Sequence, residues 1–155
     1  MIDILIHKTV EFEIQKIKKL VNEVIKVALR EINKTDKNFY VSILLTNNSE
    51  IEKINFKYRH KKNPTNVLSF PQNIERIIGK KPSSMILGDI VISLEKIKKE
   101  SIEQKKPFKN HLSHMLIHGL LHLFGYTHES FDDSKKMENF EINILSKLSI
   151  PSPYN

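Results

Sequence analysis

The stretch HLSHMLIHGLLHLFGYTH, residues 111–128, holds five of the chain's seven histidines and sets the reading of everything around it. At about 100° per residue, a helix brings His111, His114, His118 and His122 into roughly an 80° arc. Leu112, Met115, Leu116, Leu120 and Leu123 fall around that stripe as core-facing residues. His118 and His122 stand i, i+4, the spacing at which two imidazoles on one helix face share a metal ion. Gly125 lets the helix end, because glycine takes a left-handed backbone without a Cβ penalty. The turn through Tyr126 and Thr127 then brings His128 back over the pair. Three neutral imidazoles with an open position make the ligand set of a catalytic zinc site, not a closed structural one.

The pattern H-x-x-x-H-x-x-G-x-x-H matches the metzincin zinc motif at its three histidines and its glycine. It departs at the residue after the first histidine. Metzincin proteases carry a glutamate there as general base, and this chain carries Gly119. A peptidase of that mechanism is not expected, so the chemistry uses another base or none.

Working outward, Pro107 restarts the chain before a strongly apolar helix from Phe108 to Phe124. After it, Asp132 or Asp133 opens a last helix to Leu148, and Pro151 and Pro153 end the fold. Before it, Ser93 caps a helix to about Lys105, and Met85 to Ile92 reads as a strand. Residues 72–84 read as a loop with Gly79 and Pro82. Val67 to Phe70 is a short strand closed by Pro71, and Pro64 breaks the chain ahead of it. A helix capped by Asn48 or Ser49, with Glu52 in its first turn, runs to about Arg59. Phe39 to Thr46 and Ile2 to Ile6 read as strands. From Glu11 to Ile32 the apolar residues recur at helical spacing with lysines between them. Strands and helices do not alternate strictly, and helices dominate the second half. The expected fold is α+β: one domain over residues 1–150, a small mixed sheet with helices packed on it, and a tail at 151–155.

The 155 residues are 39% apolar and 28% charged, as in a globular domain. With no cysteine, disulfides, thiolate nucleophiles and Cys-based zinc sites are excluded. Met1 to Val10 lacks the pattern of a signal peptide, and no apolar run is long enough for a transmembrane helix. A net charge of +7 fits a polyanionic partner, and nucleic acid fits better than a membrane surface. The basic residues are 22 Lys and only 3 Arg. Lys57, Arg59, Lys61 and Lys62 crowd a helix end and the following loop, which makes them candidates for RNA contact. Arg59 has the planar fork suited to phosphate.

The segment His118-Gly-Leu-Leu-His-Leu-Phe-Gly-Tyr-Thr-His128 resembles the signature of the YbeY family of bacterial rRNA maturation factors. Tyr58-Arg59, Pro64-Thr-Asn-Val-Leu-Ser-Phe-Pro71, Leu87-Gly-Asp-Ile-Val-Ile-Ser93, Met137 and Glu141 fit in the same order. The resemblance implies a cytoplasmic, metal-dependent endoribonuclease specific for single strands. It would process the 3′ end of small-subunit ribosomal RNA and act in ribosome quality control. It implies one Zn2+ per chain at His118, His122 and His128, catalysis by Arg59 and His118, and RNA and the small ribosomal subunit as partners. Asn66 and Thr127 depart from it, each standing where aspartate is usual. Thr127 removes a carboxylate that would tune a ligand's basicity. His114, on the ligand face, reads as a hydrogen-bonding or packing residue, with acid or base work as the other option. Two competing readings are a non-enzymatic ribosome assembly factor with a structural zinc, and a zinc hydrolase of another substrate such as a peptide. The nearest carboxylates for the latter are Glu129 and, further off, Asp89.

Overall fold

Strands β2 (Asn38–Thr46) and β4 (Ser84–Ser93) form the centre of a four-stranded sheet. Successive side chains along a strand point to opposite faces. Val41, Ile43 and Leu45 of β2, with Ile90 and Ile92 of β4, enter the main core, while Leu44 and Val91 face a smaller cluster on the other side. Strand β1 (Ile2–Ile6) pairs parallel with β2, β2 pairs parallel with β4, and β3 (Val67–Pro71) pairs antiparallel with β4. The order is β1-β2-β4-β3, so the sheet is mixed and β3 lies at one edge. An edge is where Pro71 costs no ladder hydrogen bond.

Four helices contribute to the main core: α1 (Ile14–Ile32), α3 (Leu94–Glu103), α4 (Phe108–Leu123) and α5 (Phe131–Lys147). Helix α2 (Asn48–Arg59) covers the opposite face, with Ile51 against Leu68 and Val91. This is the expected α+β arrangement of a small mixed sheet with helices packed on it. The computed structural model describes residues 2–7, 12–32, 38–63, 65–72 and 84–154. Pro64 and most of the expected 72–84 loop lie outside the described residues.

Several boundaries differ from the sequence reading, each for a local reason. Helix α1 starts at Ile14 rather than Glu11, and Phe12 instead stacks on Phe108 at 5.8 Å between ring centroids. The cap of α2 is Asn47, whose side chain accepts from the Glu50 amide at 2.9 Å. Asn48 accepts from the Ser93 hydroxyl at 2.6 Å instead. Ser93 caps α3 as expected, but the helix stops at Glu103, and Lys105 turns the chain with φ 55°. Ser130 caps α5 by accepting from the Asp133 amide at 3.1 Å, so Asp132 and Asp133 fill the first turn.

Two glycines set how closely elements approach. At Gly88 (φ +139°) a Cβ would meet the Phe70 carbonyl oxygen at 2.2 Å, so only glycine lets β3 lie against β4 there. At Gly119 a Cβ would lie 3.1 Å from Ser69 Oγ, 3.2 Å from Ile90 Cγ2 and 3.2 Å from Val67 Cγ2. Helix α4 thus rests on the sheet at Gly119, and the Ser69 hydroxyl donates to the Gly119 carbonyl at 3.0 Å.

Candidate metal centre

Helix α4 is buried on most sides, including the five expected core residues Leu112, Met115, Leu116, Leu120 and Leu123. His111 and His114 are buried with them, whereas His118 and His122 reach solvent in part and His128 is exposed. Gly125 takes φ +95°, and the Tyr126 amide donates back to the Leu121 carbonyl at 3.1 Å. That turn carries His128 over the pair. The ligand atoms of His118, His122 and His128 all lie within 4.8 Å of one another.

The hydrogen bonds behind the rings determine what the front can do. His122 Nδ1 lies 2.9 Å from the Tyr126 carbonyl oxygen. A carbonyl only accepts, so Nδ1 carries the proton. His118 Nδ1 lies 2.8 Å from Glu141 Oε1. Glu141 is 1% exposed and also takes His114 Nε2 at 2.7 Å and the Tyr154 hydroxyl at 2.6 Å. Burial raises its pKa, but the hydrogen bonds from His114 and His118, the charge of His114 and the Tyr154 hydroxyl lower it more, to about 2. Glu141 is therefore a carboxylate, and His118 Nδ1 donates to it. Burial and the same carboxylate push the Tyr154 hydroxyl up, keeping it a donor.

A neutral ring with its proton on Nδ1 offers a bare Nε2 lone pair, and the two Nε2 atoms face each other at 3.0 Å. Burial first, and then the charge that His118 carries when protonated, lower the pKa of His122, which favours its neutral, ligating form. Two facing lone pairs at this distance fit a shared cation, and His128 supplies a third imidazole. The donor set therefore fits a metal ion.

Glu141 was visible in sequence only through the family pattern. Glu129 and Asp89, the carboxylates considered there, are both exposed. The signal for Glu141 is its place between Met137, Ile144 and Leu145, all buried on one face of α5. A glutamate on that face needs partners. Tyr154 lies in the segment read as a tail, yet its hydroxyl reaches Glu141. His114 is a hydrogen-bonding residue, as expected, engaging Glu141 and, at 3.2 Å, the Tyr154 hydroxyl.

His111, on the same stripe, turns away from this cluster and pairs through Nε2 with Glu100 at 3.1 Å. Asn66 Nδ2 donates to the same Glu100 oxygen at 3.0 Å. An aspartate at position 66 would set two carboxylates against each other, so the departure at Asn66 matches its neighbour. Arg59 is exposed, and its Nη2 donates to the Ser69 carbonyl of edge strand β3 at 3.0 Å. Lys57, Lys61 and Lys62 are exposed beside it.

The fold and site together define a small α+β protein with a three-histidine cluster fitted to one metal ion. The family profile described as Endoribonuclease YbeY matches residues 4–149. The Endoribonuclease YbeY of Ehrlichia canis is 43% identical over 141 residues, covering 91% of this chain and 88% of that protein. That of Ruthia magnifica is 49% identical over 112 residues, covering 72% and 74%. A solution structure of a Thermotoga maritima protein shares the fold, with a TM-score of 0.62 at 23% identity, covering 100% of this chain and 99% of that one. This chain belongs to the endoribonuclease YbeY family.

Proposed function

We propose that this protein is a zinc-dependent endoribonuclease of the cytoplasm that cuts single-stranded RNA. Its task is maturation of the 3′ end of small-subunit ribosomal RNA, together with ribosome quality control, so its partners are that RNA and the small subunit. Family membership and the name Endoribonuclease YbeY carried by its relatives support the nuclease reading. The pair of Nε2 atoms 3.0 Å apart, with each Nδ1 committed as a donor, is the observation that carries metal dependence.

His118, His122 and His128 would hold one ion, and three imidazoles suit zinc. Zinc, when bound, supplies a Lewis acid that polarises a phosphoryl oxygen and lowers the pKa of water. The chain's own residues do the rest. Glu141 and the Tyr126 carbonyl fix the ring orientations and tautomers of His118 and His122. Arg59, anchored on β3, neutralises charge on the phosphate, while Lys57, Lys61 and Lys62 draw in the RNA backbone.

A peptidase reading lacks support. Side chains of β3 and β4 crowd the position where a glutamate base would stand, at Gly119. Glu141 is committed on the far side of the His118 ring from Nε2. The test is cleavage of a single-stranded ribosomal RNA fragment by protein stripped with a chelator and then reloaded with zinc. Activity lost on stripping and regained with zinc supports the proposal. Equal cleavage with and without metal rejects metal dependence. RNA binding without cleavage in any state favours the assembly-factor reading.

A further inference from the structure

The end of α2 and strand β3 set two aromatic rings, Tyr58 and Phe70, beside Lys57 and Arg59 on the sheet face opposite α4. Tyr58 is 60% exposed, far more than large apolar side chains in a core, whereas Phe56, two residues earlier, projects from the other side of the helix. Phe70 of β3 meets Tyr58 edge-on, with ring centroids 5.4 Å apart. Lys62 Nζ lies 5.2 Å from the Phe56 ring, Lys57 Nζ 5.3 Å from the Tyr58 ring, and the Arg59 guanidinium 5.6 Å from the Phe70 ring. These contacts leave the Tyr58 ring open to solvent.

The backbone holds this surface together. His60 ends α2 in a left-handed conformation at φ 57°, and its amide donates to the Phe56 carbonyl at 3.0 Å. The Asn55 side chain donates to the Asn63 carbonyl at 2.8 Å. The chain therefore doubles back at once and keeps Lys61 and Lys62 beside the helix end. Ile51, Leu68 and Val91 already close the small core beneath, so Tyr58 is not needed to seal it. The surface also connects to the histidines. Arg59 bonds the Ser69 carbonyl, and the Ser69 hydroxyl bonds Gly119, the neighbour of His118.

We infer that Tyr58 and Phe70 form a stacking platform for unpaired RNA bases, with Lys57, Lys61, Lys62 and Arg59 meeting the phosphates; this rests on the endoribonuclease reading above. Every base has a π face, so aromatic rings interleaved with cations bind single strands with little sequence preference. A duplex keeps its bases stacked inside and offers such a surface only its backbone. The platform therefore favours single strands over duplex before any bond is cut.

The test measures binding of a fluorescent 2′-O-methyl oligoribonucleotide, single-stranded and as a duplex, across a salt series. Wild type is compared with Tyr58→Ala, Tyr58→Phe and Lys57→Ala, beside cleavage of an ordinary RNA strand by wild type. Tyr58→Ala should bind the single strand about tenfold more weakly with an unchanged salt slope. Tyr58→Phe should match wild type, and duplex binding should not change. Lys57→Ala should lower the salt slope by about 0.7. Tyr58→Leu, which keeps apolar bulk but has no π face, repeats the measurement if Tyr58→Ala melts early. Wild-type affinity in Tyr58→Ala and Tyr58→Leu, or equal losses for strand and duplex, overturns the platform. If wild type cleaves RNA while those variants bind normally, the platform alone falls. If Tyr58 governs binding but no RNA is cut, the platform stands and the nuclease reading falls.

Discussion

Replacing Glu141 with glutamine removes one charge from behind the histidines while keeping the shape. The native carboxylate accepts three hydrogen bonds, from His118, His114 and the Tyr154 hydroxyl, at 2.8, 2.7 and 2.6 Å. Glutamine offers one accepting oxygen and one donating amide. Turned toward His118, that amide would meet Nδ1–H or force its proton to Nε2, where it blocks the ligand atom. The oxygen therefore faces His118, and the amide faces His114 and Tyr154, which must become acceptors. Three charge-assisted bonds become neutral ones, at a cost of about 1 kcal/mol each. The metal-free variant should lose about 3 kcal/mol, or about 6–12 °C in melting temperature for a chain of this size. Losing the charge behind His118 also weakens Nε2 as a donor, so zinc affinity should fall about 10–100-fold. Chelator competition gives the affinity, and thermal melts of stripped protein give the stability. A variant that binds zinc as tightly as wild type and melts at the same temperature would refute the reasoning.

Tyr154→Phe removes a single bond to the same carboxylate, so zinc affinity should drop about threefold to tenfold by the same competition assay. Unchanged affinity would reduce Tyr154 to packing. Gly119→Ala gains about 1 kcal/mol of helix propensity but forces a Cβ to within 3.1–3.2 Å of Ser69, Ile90 and Val67. Urea denaturation should find it up to about 2 kcal/mol less stable, and a more stable variant would mean the sheet gives way easily. The Glu141 pKa, about 2 in the fold against an ordinary 4.5, is depressed, so its contribution is full above pH 4.5 and is lost as pH falls toward 2. Denaturation of metal-free protein across that range should steepen in wild type and flatten in Glu141→Gln.

The histidine geometry was legible because it is local. Helical spacing puts His118 and His122 on one face, and Gly125 turns His128 back, all within eleven residues. The main element pattern was legible for the same reason, through the periodicity of Ile17, Val21, Val24, Ile25 and Ala28 in α1. What supports the histidines is not local. Glu141 is 23 residues from His118, and Tyr154 is 13 residues further on, so only tertiary packing unites them. His111 fits the stripe by angle, but Glu100 of α3 captures it, a contact that no periodicity contains. Caps were misread by a residue or two because Asn47, Asn48 and Ser49 are all good cap formers. Asn47 takes the cap, while Asn48 binds Ser93 and Glu95 of the neighbouring element. The aromatic surface was half legible: the lysines stood out by charge, but the exposure of Tyr58 and its contact with Phe70 required the fold.

The most direct test of the central claim is metal content and RNA cleavage measured together on wild type and His118→Ala. About one zinc per chain with cleavage of single-stranded RNA in wild type, and neither in the variant, is the expected result. Equal cleavage by both proteins, or RNA binding without cleavage by either, would contradict the claim that the three histidines form the active centre.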